Sequence, residues 1–169
     1  MTRYAALLRA INVSGTGKLA MTDLRACCES LGFTDVRTYI QSGNAVFATK
    51  LSEAKVVAAL APALAALVGK PVGVLVRTAA ELAAIVADHP FPEAAPNRLV
   101  VAFLDKPATA AELAAIRAPG GERVAARGRE VFIHYPDGIG VSKLKLPFVA
   151  RMTGRNLNTV RKLAEMTAA

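Results

Sequence analysis

Val36-Arg37-Thr38-Tyr39-Ile40-Gln41-Ser42-Gly43-Asn44-Ala45-Val46-Phe47-Ala48-Thr49 is the stretch that decides the fold. Val36 to Gln41 alternates, Asn44 to Thr49 reads as a second strand, and Ser42-Gly43 between them supplies turn chemistry, because glycine takes positive φ without penalty. The stretch is therefore a hairpin. Its turn is also more polar than a turn requires, with two carboxamides and a hydroxyl. Asn, Ser and Gly are ordinary turn residues, but glutamine has no special turn role, so Gln41 is where a contact is expected.

Working outward, Arg3 to Arg9 reads as a short buried strand. Met21 to Gly32 reads as a helix with Thr22 as N-cap, an apolar face of Leu24, Cys27, Cys28 and Leu31, and Gly32 as its stop. On the other side of the hairpin, Ser52 caps a helix carrying Val56, Val57, Leu60, Leu64 and Leu67 and stopped by Gly69. Val72 to Arg77 follows as a β-branched strand. Pro62 lies inside that helix and predicts a kink or break, since an interior proline costs roughly 3 kcal/mol. The order is β-α-β-β-α-β, the split motif of ferredoxin-like folds, complete within residues 1–77.

Glu81 to Asp88 reads as a connecting helix, ended by a proline-rich run from His89-Pro90-Phe91-Pro92 to Pro96. The pattern then partly repeats. Arg98 to Asp105 reads as a strand, Thr109 to Ala118 as a helix, Glu122 to Arg127 and Arg129 to Tyr135 as a hairpin about Gly128, and Asn158 to Met166 as a last helix. No closing fourth strand is evident. The expected fold class is α+β: two tandem ferredoxin-like halves, antiparallel sheets with helices on one face. The first half takes residues 1–77, a connecting helix and linker 78–97, and a variant second half 98–169.

At 169 residues and 53% hydrophobic content the chain can build a real core. Lys plus Arg outnumber Asp plus Glu by 21 to 13, a formal +8 that favours anionic partners without choosing among nucleic acid, phosphometabolite and membrane surface. Cys27 and Cys28 are adjacent on a helix, where side chains diverge, so a reduced, cytoplasmic protein is expected. The N-terminus is too short and too charged for a signal peptide, and no uncharged apolar run reaches the ~18 residues of a membrane span. No membrane association is expected, and no feature assigns an oligomeric state.

Three segments carry possible chemistry. Alternating strand directions place the loop Ile11 to Lys18 and the turn Gln41 to Asn44 at one sheet edge, where Asn12, Ser14, Thr16, Lys18, Gln41, Ser42 and Asn44 form a patch suited to a polar or phosphorylated ligand. Gly17-Lys18 is not a Walker loop, because Asn12 stands at the first glycine and Leu19 at the magnesium-binding Ser or Thr. Gly15, Gly17 and Ala20 match a relaxed dinucleotide pattern, but a hairpin follows where that fold needs a parallel crossover.

The second segment runs from Tyr135-Pro136-Asp137-Gly138 to Val141-Ser142-Lys143-Leu144, whose glycines free backbone N–H groups for an anion nest. From Gly138 to Lys162 there are six cations and no acid, which equally fits a solvated basic face. Ser142 and Lys145 have the Ser-x-x-Lys spacing of some acyl enzymes without their companion motifs. His89 and His134, the two histidines, lack a third partner for zinc. In the third segment, Thr153 to Val160, Asn156 or Asn158 caps the last helix, and Arg155 with the helix N-terminus can hold an anion.

Four segments, Leu8-Arg9-Ala10-Ile11-Asn12-Val13, Tyr39 to Asn44, Pro136 to Leu144 and Arg155 to Leu163, resemble a bacterial family known as domain of unknown function 1697. The resemblance implies a compact bacterial protein of two ferredoxin-like halves and carries over no substrate, cofactor or catalytic residue. Ala10 stands where the family pattern has glycine, and Leu157 where it has tryptophan.

The function expected from these readings is binding of a phosphorylated or anionic small molecule in a basic cleft between the halves. The ligand-binding candidates are Arg9, Asn12, Lys18, Gln41, Ser42, Asn44, Ser142, Lys143, Arg155 and Asn156, with no cofactor and no metal. Nucleic-acid binding is the alternative, supported by charge and topology and opposed by few aromatics, 5% of the chain with no tryptophan. An enzyme is the third reading, with no catalytic constellation recognised.

Overall fold

The structure is a computed structural model that describes residues 1–9, 11–12, 18–40 and 43–168. It is a mixed α+β protein with two four-stranded antiparallel sheets. The first unit comprises Met1–Ala83 with Leu163–Ala169, and the second Ala84–Lys162. The chain order is β1 (Thr2–Arg9), α1 (Met21–Ser30), β2 (Thr34–Thr38), β3 (Asn44–Thr49), α2 (Glu53–Val68), β4 (Gly73–Thr78) and α3 (Ala79–Ala87). It continues with β5 (Leu99–Leu104), α4 (Ala110–Ala114), β6 (Arg123–Arg127), β7 (Glu130–His134), β8 (Met152–Asn156) and α5 (Leu157–Ala168).

In the first unit the sheet order is β2-β3-β1-β4. Alternation puts Tyr4, Ala6 and Leu8 of β1 on one face, where they join Ala45 and Phe47 of β3 and the apolar sides of α1 and α2 in one core. The opposite face is buried too: Ala5, Leu7 and Val46 are each 0% exposed. Strands buried on both faces read as continuous apolar runs, which is the pattern of Ala5 to Leu8 and Ala45 to Ala48. Cys27 and Cys28 are buried and unbridged. Burial, with the charges of Cys27 and Glu29 adding, pushes the Cys28 thiol up to about 12.

The hairpin is held from inside. Tyr39 N donates to Asn44 O at 3.0 Å, and the Asn44 side-chain amide donates back to Tyr39 O at 2.8 Å. That double link ends β2 at Thr38 rather than at Gln41, since Ile40 has already left the extended region at φ 49°.

Three helix expectations are corrected. The N-cap of α1 is Ala20 rather than Thr22; the N–H groups of Asp23 and Leu24 both donate to its carbonyl at 3.0 Å. α2 runs unbroken through Pro62, because Val56, Leu60 and Leu64, each 0% exposed, bury a continuous face that outweighs the missing hydrogen bond. α4 stops at Ala114, well short of Ala118. A capping box between Thr109 and Glu112 starts it, but Arg117 is drawn out of helical register to exchange backbone hydrogen bonds with Lys145 at 3.1 and 2.9 Å.

The largest correction is a fourth strand in the second unit, whose order is β6-β7-β5-β8. β8 pairs with β5 from Val100 opposite Asn156 to Leu104 opposite Met152. Met152-Thr153-Gly154-Arg155-Asn156 contains one β-branched residue and a glycine, so local preference did not mark it; pairing to a fully apolar neighbour makes it a strand. One face of this sheet, carrying Ala102, Leu104, Val131, Ile133 and Tyr135, is covered by an extended strap. From Ser142 to Phe148 exposure alternates, so Leu144, Leu146 and Phe148 face the sheet while Lys143 and Lys145 face solvent.

Arg151 ties the end of that strap down, donating at 2.7 Å to both Asp105 and Glu112. The Arg151 guanidinium holds the Glu112 carboxyl below its ordinary value; at Asp105 partial burial pulls upward, but the bonds from Arg151 and Lys106 prevail and its pKa is also lowered. A carboxyl lowered in the folded state contributes stability above its unfolded value near 4, and that contribution disappears as pH falls through the folded value. Arg151→Ala is accordingly expected to melt below the wild type at pH 7, with the gap closing as pH is taken below about 4. Melting temperatures of both proteins between pH 7 and pH 2.5 check this; a gap unchanged at low pH would refute it.

Candidate functional site

Three connecting segments of the second unit border a half-open cavity of about 160 Å³ lined by Pro119, Gly120, Glu122, Tyr135, Pro136, Asp137, Gly138, Val141, Ser142 and Lys143. The β6-β7 hairpin supplies two walls. Its register pairs Arg127 with Glu130 and Arg123 with His134, so one step further brings Glu122 beside Tyr135. The strap supplies the third wall, and its alternation turns Ser142 inward.

Glu122 is the fixed point of the cavity. It is 9% exposed; the Ser142 hydroxyl donates to Oε1 at 2.7 Å and Gly120 N donates to Oε2 at 2.8 Å. The serine's bond first, then one from the backbone of Glu122 itself, and last that from Gly120 hold the carboxyl below the usual range against a smaller upward pull from burial, so it is ionised at neutral pH. Ser142 Oγ also accepts from Leu144 N at 3.1 Å, which fixes the rotamer. Tyr135 is 6% exposed, and burial, then the Glu122 charge, raises its phenol pKa. A carboxylate with a lowered pKa is a weak base, so the Ser142–Glu122 pair is built to hold a charge in place rather than to activate a nucleophile.

The ten sequence candidates separate. Gln41 and Ser42 lie outside the described residues. In the first unit Arg9 ends β1, half-buried, and Lys18 is exposed. Asn12 is bonded to Leu19, its Nδ2 donating to Leu19 O at 3.1 Å and its Oδ1 accepting from Leu19 N at 2.9 Å. Asn44 is 0% exposed and engaged with Tyr39. In the second unit Ser142 and Lys143 meet at the cavity. Arg155 is 6% exposed on β8, bonded to Thr153 Oγ1 at 2.6 Å and Gly154 O at 2.9 Å, and burial brings its pKa down to about 10. Asn156 caps α5 by accepting from Thr159 N at 3.0 Å.

The run of six cations is thus no single face. Arg151 is ion-paired and Arg155 buried, while Lys143, Lys145, Arg161 and Lys162 are exposed. Leu157 is 1% exposed and part of the core. His134 faces Arg123, 3.3 Å away, and among the described residues no three acid, histidine or cysteine side chains form a metal-holding group. Among those residues, too, no helix is long and apolar enough to cross a membrane.

Glu122 is the residue that sequence reading missed, being counted as a first strand residue. The signal was present: in a hairpin turning at Gly128-Arg129, counting back from the Arg127–Glu130 pair sets Glu122 opposite Tyr135.

A family model described as a protein of unknown function matches residues 1–132. A solved structure described as that of a conserved bacterial protein from Streptococcus pneumoniae matches over 100% of this chain and 99% of that one, with a TM-score of 0.81 and 24% sequence identity, a likeness of fold. No curated protein matches the chain.

Proposed function

The chain belongs to the DUF1697 family of proteins of unknown function, and from its second unit we propose that it binds a small polar ligand carrying an anionic group in the cavity beside Ser142 and Lys143. The observation that carries this is the Glu122 carboxylate, 9% exposed and pinned by Ser142 and Gly120, in a cavity also lined by an exposed lysine with no ion pair among the described residues. Fixed polar groups converging on a concave wall are what orient a small ligand. Lys143 receives the anionic group, and Ser142 keeps the wall in shape.

The order β-α-β-β-α-β and the sheet order β2-β3-β1-β4 support a ferredoxin-like reading of the first half, residues 1–77; after a linker at 78–97, the matching sheet order β6-β7-β5-β8 supports a variant of it for residues 98–169, in which the second helix follows the fourth strand instead of preceding it. That topology alone does not favour nucleic acid. Tyr4 and Phe47, the aromatics on the candidate strands, are 5% and 0% exposed and offer no platform on which bases stack.

Thermal unfolding against a panel of phosphometabolites, carboxylates, nucleotides and short oligonucleotides tests the reading. A ligand at 100 times its dissociation constant adds about 2.7 kcal/mol, or roughly 5 to 10 °C for a chain of this size. The expected result is a shift with a small anion that is lost in Lys143→Ala and reduced in Ser142→Ala. A shift undiminished in both variants places the ligand elsewhere and overturns the proposal.

A further inference from the structure

The charges on the cavity wall are not those of a simple anion site. The lining residues include two acids, Glu122 and Asp137, against one base, Lys143, so a ligand bearing negative charge alone meets a lining of net negative charge, although the whole chain is +8. Binding it there would set like charges together, which costs affinity. A ligand carrying a cation as well as an anion matches both signs.

The acceptor side is open for such a cation. A carboxylate has about four lone-pair sites. The Ser142 hydroxyl and Gly120 N–H take one site on each oxygen of Glu122. Beside it stands Tyr135, 6% exposed, whose hydroxyl has no hydrogen-bond partner among the described residues. Among those residues no side-chain oxygen shut off from solvent lacks a partner either, so this hydroxyl reaches solvent, and Tyr135 is one of the residues that line the cavity. An ammonium has three N–H donors in a compact head and can divide them between the Glu122 carboxylate and the Tyr135 oxygen. Gly120 is a requirement of this arrangement. A Cβ there would lie 2.9 Å from Glu122 Oε1 and 3.2 Å from Oε2, displacing the carboxylate that the backbone N–H now holds.

We infer that the ligand is a small zwitterionic amine whose ammonium docks between Glu122 and Tyr135 while its anionic group meets Lys143. This rests on the proposed function above and specifies its ligand class. The cavity, about 160 Å³, is below the roughly 300 to 1,000 Å³ of pockets that hold drug-sized ligands, so the amine is a compact one.

Isothermal titration at pH 7.5 with O-phosphoethanolamine, 2-hydroxyethyl phosphate and inorganic phosphate tests the inference, because the first two differ only in the amine. The wild type is expected to bind O-phosphoethanolamine at least tenfold more tightly than its hydroxyl counterpart. That preference is expected to vanish in Glu122→Gln, which keeps an acceptor for Ser142, and to weaken in Gly120→Ala, with circular dichroism confirming that each variant is folded. Equal affinity for the two probes in the wild type overturns the amine assignment and leaves the anion-binding proposal standing. A preference that persists in both variants removes Glu122 from the site, and the absence of binding by all three phosphates counts against both readings. The wild-type comparison decides the amine question even where a variant fails to fold.

Discussion

Phe47→Ala is expected to cost about 3 to 5 kcal/mol, the range for truncating a fully buried aromatic whose cavity does not collapse. Phe47 is 0% exposed on β3, an inner strand of the first sheet. Its ring stacks on Phe33, with centroids 4.4 Å apart and planes 14° from parallel, and meets Tyr4 at 6.3 Å. Removing it withdraws support from β1 and from the segment that leads α1 into β2 at once. Phe47→Leu keeps most of the volume and is expected to cost clearly less. Urea unfolding followed by circular dichroism measures both; a loss below about 1.5 kcal/mol for the alanine variant would mean that the site relaxes and is not the rigid centre the packing indicates.

Gly43→Ala follows, at about 2 to 5 kcal/mol, summed from a left-handed backbone and an overpacked contact. Gly43 has φ +91°, and a Cβ built on it lies 2.5 Å from Ile11 Cδ1 and 3.0 Å from Leu8 Cβ. Neither neighbour can withdraw, since Leu8 is 1% and Ile11 3% exposed. Gly43 O also accepts from Leu8 N at 2.9 Å, so displacing the turn loosens β1 against β3. The same urea experiment checks it, and a variant as stable as the wild type would refute the steric argument. In this motif the glycine is thus a backbone necessity, quite apart from any ligand.

The hairpin, the helix stops and the alternation of β-branched and polar residues are short-range signals, and they marked most elements to within one or two residues. β3 was legible residue for residue, from Asn44 to Thr49. Where local chemistry and tertiary pairing disagreed, pairing prevailed: Pro62 sits in an unbroken helix, and Met152 to Asn156 became a strand against its own composition. Among the candidates, Ser142 and Lys143 were legible as polar residues of a glycine-containing loop, and the structure sets them on one wall. Arg155 and Asn156 looked equally free, yet one lies buried on β8 and the other caps α5.

By itself the sequence determined most of the element types and the hairpin turns, because propensity, periodicity and turn chemistry act over a few residues. Only the tertiary structure decided that Ser142 crosses twenty residues of chain to reach Glu122, that Arg151 is taken up by Asp105 and Glu112, and that the basic run is divided among burial, ion pairs and solvent. Those outcomes depend on which segments pack together and exclude water, and the free energy of a charge is set by that surrounding rather than by its neighbours in sequence.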